Sequence, residues 1–185
     1  MKLFYDFRYA VPPYPEYCQQ AGIKLTQGET FVNPIALQQA SAGNVLLSWH
    51  YWLGISDPKK QARNFVAAFQ TITPAAIPVL DCEDPSAAVR GTTPTRIKAG
   101  LDEMESLLGK PVMVYTRASW WDYKVGNQSW AKDHELWVAH YLALRPRIPA
   151  GWTGYKAWQF MGDVYMPGFL QSTGMPIKVD VNVLA

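Results

Sequence analysis

Three times before residue 110 a short apolar run gives way to an amphipathic segment that opens on a polar cap and a proline. "NPIALQQASAG" has Asn33 before Pro34 and stops at Gly43, and "DPKKQARNFVAAFQ" has Asp57 before Pro58. "TPTRIKAGLDEMESLLG" has Thr93 before Pro94 and stops at Gly109. Proline at the first turn and glycine past the last are helix punctuation. In the second segment Ala62, Phe65, Val66 and Phe69 fall on one face. A further short helix is expected around "TRASWWDY". The apolar runs read as strands at roughly 3–7, 22–26, 45–50, 77–82, 112–116, 136–141, 156–160 and 177–182. Strand alternating with helix implies parallel strands joined by crossovers.

About eight strands favour a closed barrel over an open sheet. A full (β/α)8 barrel takes about 250 residues, and this chain has 185. The expectation is an α/β fold: one compact, irregular (β/α) barrel over residues 1–185, similar to a TIM barrel with fewer than eight helices. Several crossovers in the last third must then be loops.

Composition removes several classes of function. A net charge of +2 with scattered Lys and Arg does not argue for nucleic acid. No segment approaches the roughly 20 apolar residues of a membrane span. Asp6 interrupts any hydrophobic region of a signal peptide, so a mature form or another exit route is expected. Cys18 and Cys82 form neither a disulfide framework nor a zinc pattern and read as free thiols. His50, His134 and His140 lack ligand-like spacing, and "KDHEL" reads as a surface loop, so no metal site is expected.

The chemistry is at the strand ends. "IPVLDCEDP" packs an apolar run directly against Asp81 and Glu83. Residues i and i+2 of a strand face one side, about 6.5 Å apart, so these acids point together while Cys82 points toward the helices. The alternative, that both cap the following turn, is weaker because Asp84 is better placed for that task. "LFYDF" delivers Asp6 and "PIKVDVNVL" delivers Asp180 to the same mouth. In a closed barrel the first and last strands are neighbours, which sets Asp6 beside Asp180. Clustered carboxylates raise the pKa of at least one member, and glycoside hydrolysis needs one protonated acid and one carboxylate. Aromatic residues recur at these ends. Trp49, His50 and Tyr51 close the third strand, Tyr115 the fifth, Trp137 and Tyr141 flank the sixth, and Trp158 and Phe160 belong to the seventh. Together they suggest a sugar-binding cleft.

These motifs resemble the glycoside hydrolase family 25 lysozymes over nearly the whole chain. "IKLTQG" is similar to the family's Lys-Ala-Thr-Glu-Gly segment, "SWHYW" to its Tyr-His-Phe strand end, and "IPVLDCED" to its Pro-Val-Leu-Asp-x-Glu motif. "VMVYTRASWW", "ELWVAHY", "YKAWQF" and "VDVNVL" follow in the family's order. The resemblance implies cleavage of the β-1,4 bond between N-acetylmuramic acid and N-acetylglucosamine in bacterial peptidoglycan. It implies Glu83 as general acid and Asp81 as the group that orients a reacting N-acetyl. Asp6 and Asp180 would balance charge and position substrate. Tyr115, Trp49, His50, Trp137, Tyr141, Trp158 and Lys24 would contact the glycan. No metal or organic cofactor is implied, and a monomer acting on the cell wall, extracellular or phage-released, is expected. Two departures stand out. Gln27 replaces the family's Glu, and only 17 residues (7 to 23) separate Asp6 from Lys24, which predicts a short or distorted second strand. A chitinase-like barrel glycosidase and a non-catalytic wall-binding module are the alternatives.

Overall fold

The structure is a computed structural model that describes residues 2–7, 20–42, 44–170 and 176–185. The strands are β1 (Lys2–Phe7), β2 (Ala21–Gln27), β3 (Phe31–Val32), β4 (Val45–Tyr51) and β5 (Ile77–Asp81). They continue with β6 (Met113–Thr116), β7 (Leu136–Ala139), β8 (Ala157–Leu170) and β9 (Pro176–Leu184). Eight of them close a barrel in the order β1-β2-β4-β5-β6-β7-β8-β9, with β9 returning to β1. The short β3 pairs on the outer edge of β2. Among the described residues there are four α-helices: α1 (Ala36–Ala42), α2 (Pro58–Ile72), α3 (Thr93–Leu108) and α4 (Ala118–Lys124). No helix of the described residues is long and apolar enough to cross a membrane.

This is the trimmed (β/α) barrel that the alternating pattern predicts, with one correction. The expected all-parallel order fails at the last strand, where β9 runs antiparallel to both β8 and β1. Among the described residues no helix follows β7, and β8 and β9 pair antiparallel to close the barrel with little sequence. Asp180 therefore reaches the mouth from the entering half of its strand.

Helix punctuation is largely as the sequence indicates. Asp57 accepts from the backbone N–H of Lys59 and Lys60, each at 2.9 Å, and Pro58 opens α2. Gly109 ends α3 at φ 64°, in the left-handed region where glycine carries no Cβ penalty. Asn33 accepts from Ile35 N–H at 3.1 Å and so holds the turn that leads into α1. Thr93 is not the cap. It lies inside α3, and its hydroxyl donates to Ala88 O at 2.7 Å.

Strand alternation divides the core into two layers. Phe4, Leu47, Trp49, Val79, Met113, Tyr115, Trp137 and Ala157 fill the barrel. Leu25, Leu80, Cys82 and Val114 face outward against Phe65, Phe69, Ile97, Leu101, Met104 and Trp121 of the helices. Each large side chain buried this way contributes about 1.5–3 kcal/mol. β5 shows the rule plainly: Val79 in, Leu80 out, Asp81 in, Cys82 out.

β2 meets the expectation of a short or distorted second strand by distortion. It is not short: all seven residues are in the strand and six are buried. Its irregularity lies in its register against β4, which shifts at Ala21/Gly22 and at Lys24/Thr26. Gly22 lets β1 and β2 close up, because a Cβ there would sit 2.9 Å from Asp6 Cβ and from Leu47 Cδ1. Cys18 lies outside the described residues, and Cys82 is a buried free thiol.

Candidate active site

Asp81 is the last residue of β5, in register with Tyr51 of β4 and Tyr115 of β6. Beyond it the backbone of Cys82 is fixed on both sides. Its N–H donates to Tyr115 O at 2.8 Å, and its carbonyl accepts from the Thr116 hydroxyl at 2.7 Å. That grip continues the strand geometry for one more residue pair, so Asp81 and Glu83 both line the same pocket. Turn capping belongs to Asp84, which accepts from Ser86 N–H at 2.9 Å and from Gly54 N–H at 2.7 Å.

Asp6 and Asp180 are direct partners across the β1–β9 ladder. Gln159 of β8 ties them together: its Nε2 donates to Asp6 Oδ2 at 3.0 Å and to Asp180 Oδ2 at 3.2 Å. Its Oε1 accepts from the Tyr115 hydroxyl at 2.7 Å and from the Tyr141 hydroxyl at 2.8 Å. Asn182 adds a second donor to Asp6 Oδ2 at 2.8 Å and accepts from Trp137 Nε1 at 2.9 Å. Buried amides need all their partners, and here all but one of these bonds orient a carboxylate or an aromatic wall; the exception runs from Asn182 Nδ2 to the Asp180 backbone carbonyl at 3.3 Å.

The β8 backbone also takes part. Register shifts between Met161 and Val164, and Asp163 adopts φ 56°. This bulge aims the Asp163 N–H at Asp180 Oδ1, 2.7 Å away. A non-glycine residue in the left-handed region is uncommon, though aspartate tolerates it better than most. Strain of this kind collects at functional sites.

The resulting pocket has about 260 Å³ of open space and is lined by Asp6, Trp49, Asp81, Glu83, Tyr115, Trp137, Gln159 and Asp180. Tyr115 meets Trp137 edge-on with centroids 4.7 Å apart, and Trp49 meets Trp137 likewise at 6.1 Å. Burial, then the negative charge of Glu83, the neighbouring Tyr141, Asp81 and Asp6, pushes the Tyr115 hydroxyl well above its ordinary pKa. Burial and Asp180 push Tyr141 up to about 12. Both phenols therefore stay protonated donors at neutral pH. Cys82 is likewise pushed up, by burial and then by Asp81 and Glu83.

The structure thus brings together Asp6, Asp81, Glu83, Asp180, Trp49, Tyr115 and Trp137, with Tyr141 joined through Gln159. Three residues expected against the glycan lie elsewhere. His50 is fully buried on the outer face of β4, with Nδ1 2.7 Å from the Thr26 hydroxyl and Nε2 3.3 Å from Gln61 Oε1. Burial lowers its pKa to about 3. Trp158 has the opposite parity to Gln159; it packs on Tyr155 and Phe160 and donates to His140 O at 2.9 Å. Lys24 faces the mouth but not this pocket, because its Nζ donates to Gln27 Oε1 at 2.5 Å and lies 5.1 Å over the Tyr51 ring. His134 is also not in a surface loop: it is buried, with Nδ1 3.2 Å from Glu105 Oε1.

Sequence reading named the neighbours of Gln159 and Asn182 and missed both residues. The signal was parity. Gln159 shares the inward face of Ala157, and Asn182 lies two residues from Asp180 on the same face.

Comparison with known proteins places this geometry. The family model for glycosyl hydrolases family 25 matches residues 16–169. Lysozyme M1 of Streptomyces globisporus is 32% identical over 89 residues, which cover 44% of this chain and 30% of that protein. The N,O-diacetylmuramidase of a Chalaropsis species is 28% identical over 165 residues, 79% of this chain and 78% of that protein. The fold superposes on the bacterial lysozyme of Streptomyces coelicolor with a TM-score of 0.80 at 22% identity, covering 98% of this chain and 91% of that one. The chain therefore spans under a third of one curated relative and more than three quarters of another. With most of its length matched in motif order, the chain belongs to glycosyl hydrolase family 25.

Proposed function

We propose that this protein is a muramidase that hydrolyses the β-1,4 bond between N-acetylmuramic acid and N-acetylglucosamine in bacterial peptidoglycan. The observation that carries this reading is the meeting of Asp6, Asp81, Glu83 and Asp180 in one aromatic-walled pocket of a family 25 chain. Glu83 is the general acid: it protonates the glycosidic oxygen as the bond to the anomeric carbon breaks. Asp81, on the same face, orients the substrate's N-acetyl group and stabilises the charge that develops as that group supports the anomeric centre. Water then completes hydrolysis.

Asp6 and Asp180 act one layer out. Held by the Gln159 and Asn182 amides, they set the negative potential and the shape of the pocket floor. Tyr115 and Tyr141 remain donors, while Trp49 and Trp137 supply faces for sugar rings. The protein works as a monomer on the cell wall, outside the producing cell or after phage release. Mass spectrometry of digested peptidoglycan tests the reading. Products with muramic acid at the reducing end support it; reducing-end glucosamine or anhydro sugars overturn it.

A further inference from the structure

Beside the acidic pocket lies a second one of opposite character. It has about 540 Å³ of open space and is lined by Arg117, Ala118, Ser119, Ala139, His140, Tyr141 and Arg147. Tyr141 is the partition. It lines this second pocket while its hydroxyl donates to Gln159 Oε1 in the first. The ring lies against Gly162, where a Cβ would come within 3.0 Å of Tyr141 Cζ.

The polar groups of this wall are donors. His140 Nδ1 accepts from Arg147 N–H at 2.9 Å, which leaves the proton of the neutral ring on Nε2. Arg147 is half neutralised, since its Nη2 is 2.5 Å from Asp122 Oδ2. The Arg117 residue is exposed; its carbonyl accepts from the N–H groups of Trp120 and Trp121, while its side chain makes no ion pair or hydrogen bond with the described residues. No carboxylate lines the pocket. One face of Tyr141 thus sees clustered acids, and the other sees an uncompensated guanidinium.

We propose that this pocket is a subsite for the carboxylate of the peptide stem attached to the muramic acid lactyl group, with Arg117 as its charged anchor. This rests on the muramidase reading, because the stem is the anionic group carried by the sugar that the adjacent pocket would cleave. A guanidinium offers a planar fork that fits a carboxylate bidentately. Its distance from the acids through the Tyr141 ring keeps the substrate anion away from Asp81 and Glu83. The site selects glycan whose stem carries a free carboxylate.

The test compares peptide-bearing glycan strands purified free of teichoic acid, with the stem carboxylates either free or converted to neutral amides by carbodiimide and ammonia. Amidase removal of the stem is avoided because it would leave a lactyl carboxylate on the sugar. The readout is the ratio of kcat/KM for the carboxylate-bearing to the amidated strands. Wild type is expected to prefer carboxylate-bearing strands. In Arg117→Gln that ratio falls about two- to fivefold, through KM rather than kcat, and Arg117→Lys retains part of it. Arg145→Gln removes the same charge at an exposed position outside the pocket lining and keeps the wild-type ratio. Equal losses on both substrates, or none on either, overturn the subsite. Wild-type cleavage of neither substrate overturns the muramidase reading and the subsite with it, whereas cleavage without preference overturns the subsite alone.

Discussion

Asp6 on the first strand and Asp180 on the last are register partners, and a single amide nitrogen, Gln159 Nε2, donates to both at 3.0 and 3.2 Å. Two carboxylates held on one donor hold much of the site's charge in place. Turning that donor into an acceptor is therefore a severe change at constant shape. Gln159→Glu should be less stable than wild type at pH 7 by about 1–3 kcal/mol. Like charges raise the pKa of the new carboxyl in the folded state, so the deficit shrinks as pH falls and the group takes up a proton. Urea unfolding at pH 7 and pH 5 measures this. A deficit that is constant across that range would contradict it.

Glu83→Gln keeps size and removes the proton donor. The release of reducing ends from purified cell walls should fall by about 10²–10⁴-fold, with an unchanged far-ultraviolet circular dichroism spectrum and melting temperature. Asp81→Asn should also fall steeply. Asp84→Asn, beside them in sequence, should lower stability rather than the rate of the remaining folded enzyme, because Asp84 holds Ser86 and Gly54.

Gly22→Ala tests the close approach of β1 and β2. The added Cβ would lie 2.9 Å from Asp6 Cβ and Leu47 Cδ1, closer than real contacts allow. Overpacking of this kind costs about 1–3 kcal/mol. Because one of the atoms displaced belongs to Asp6, activity per folded molecule should fall as well. Thermal melts with activity normalised to the folded fraction separate the two effects.

His50 supplies a pH dependence of stability. Its folded pKa is lowered to about 3 from 6.5, chiefly by burial. Above pH 6.5 the ring is neutral in both states and the fold suffers no penalty. Between pH 6.5 and about 3 the unfolded chain binds a proton that the folded chain refuses, so stability falls with pH at up to about 1.4 kcal/mol per unit. His50→Gln should be weaker at pH 7, having lost packing against Phe65. It should show a shallower decline between pH 6 and 4 in denaturant midpoints, and an equally steep decline would place the acid sensitivity elsewhere.

Period and punctuation carried most of the fold. Asp57–Pro58 and Gly109 mark helix ends by local backbone chemistry, and the run Val79-Leu80-Asp81-Cys82 states its own in-and-out order. The four mouth acids were legible because charge at the end of an apolar strand has few uses. Strand direction was not legible: nothing local in "PIKVDVNVL" distinguishes an antiparallel closing strand from a parallel one. The choice between neighbours also failed. Trp158 and His50 draw the eye by residue type, yet parity assigns the pocket to Gln159 and turns His50 toward Gln61 of α2. Lys24 lies outside the lining of the acidic pocket, with its ammonium bonded to Gln27 three residues away.

Barrel closure has a consequence for when this protein can act. Asn182 and Asp6 touch across 176 residues of chain, and Gln159 and Asp6 across 153. The floor of the pocket is thus assembled from β1, β8 and β9, which are far apart in sequence. Contacts between such distant segments form late, since long loops must close first. A nascent or truncated chain lacking β9 has neither a sealed barrel nor a finished set of carboxylates. The set of carboxylates should therefore be completed only when β9 seats between β8 and β1.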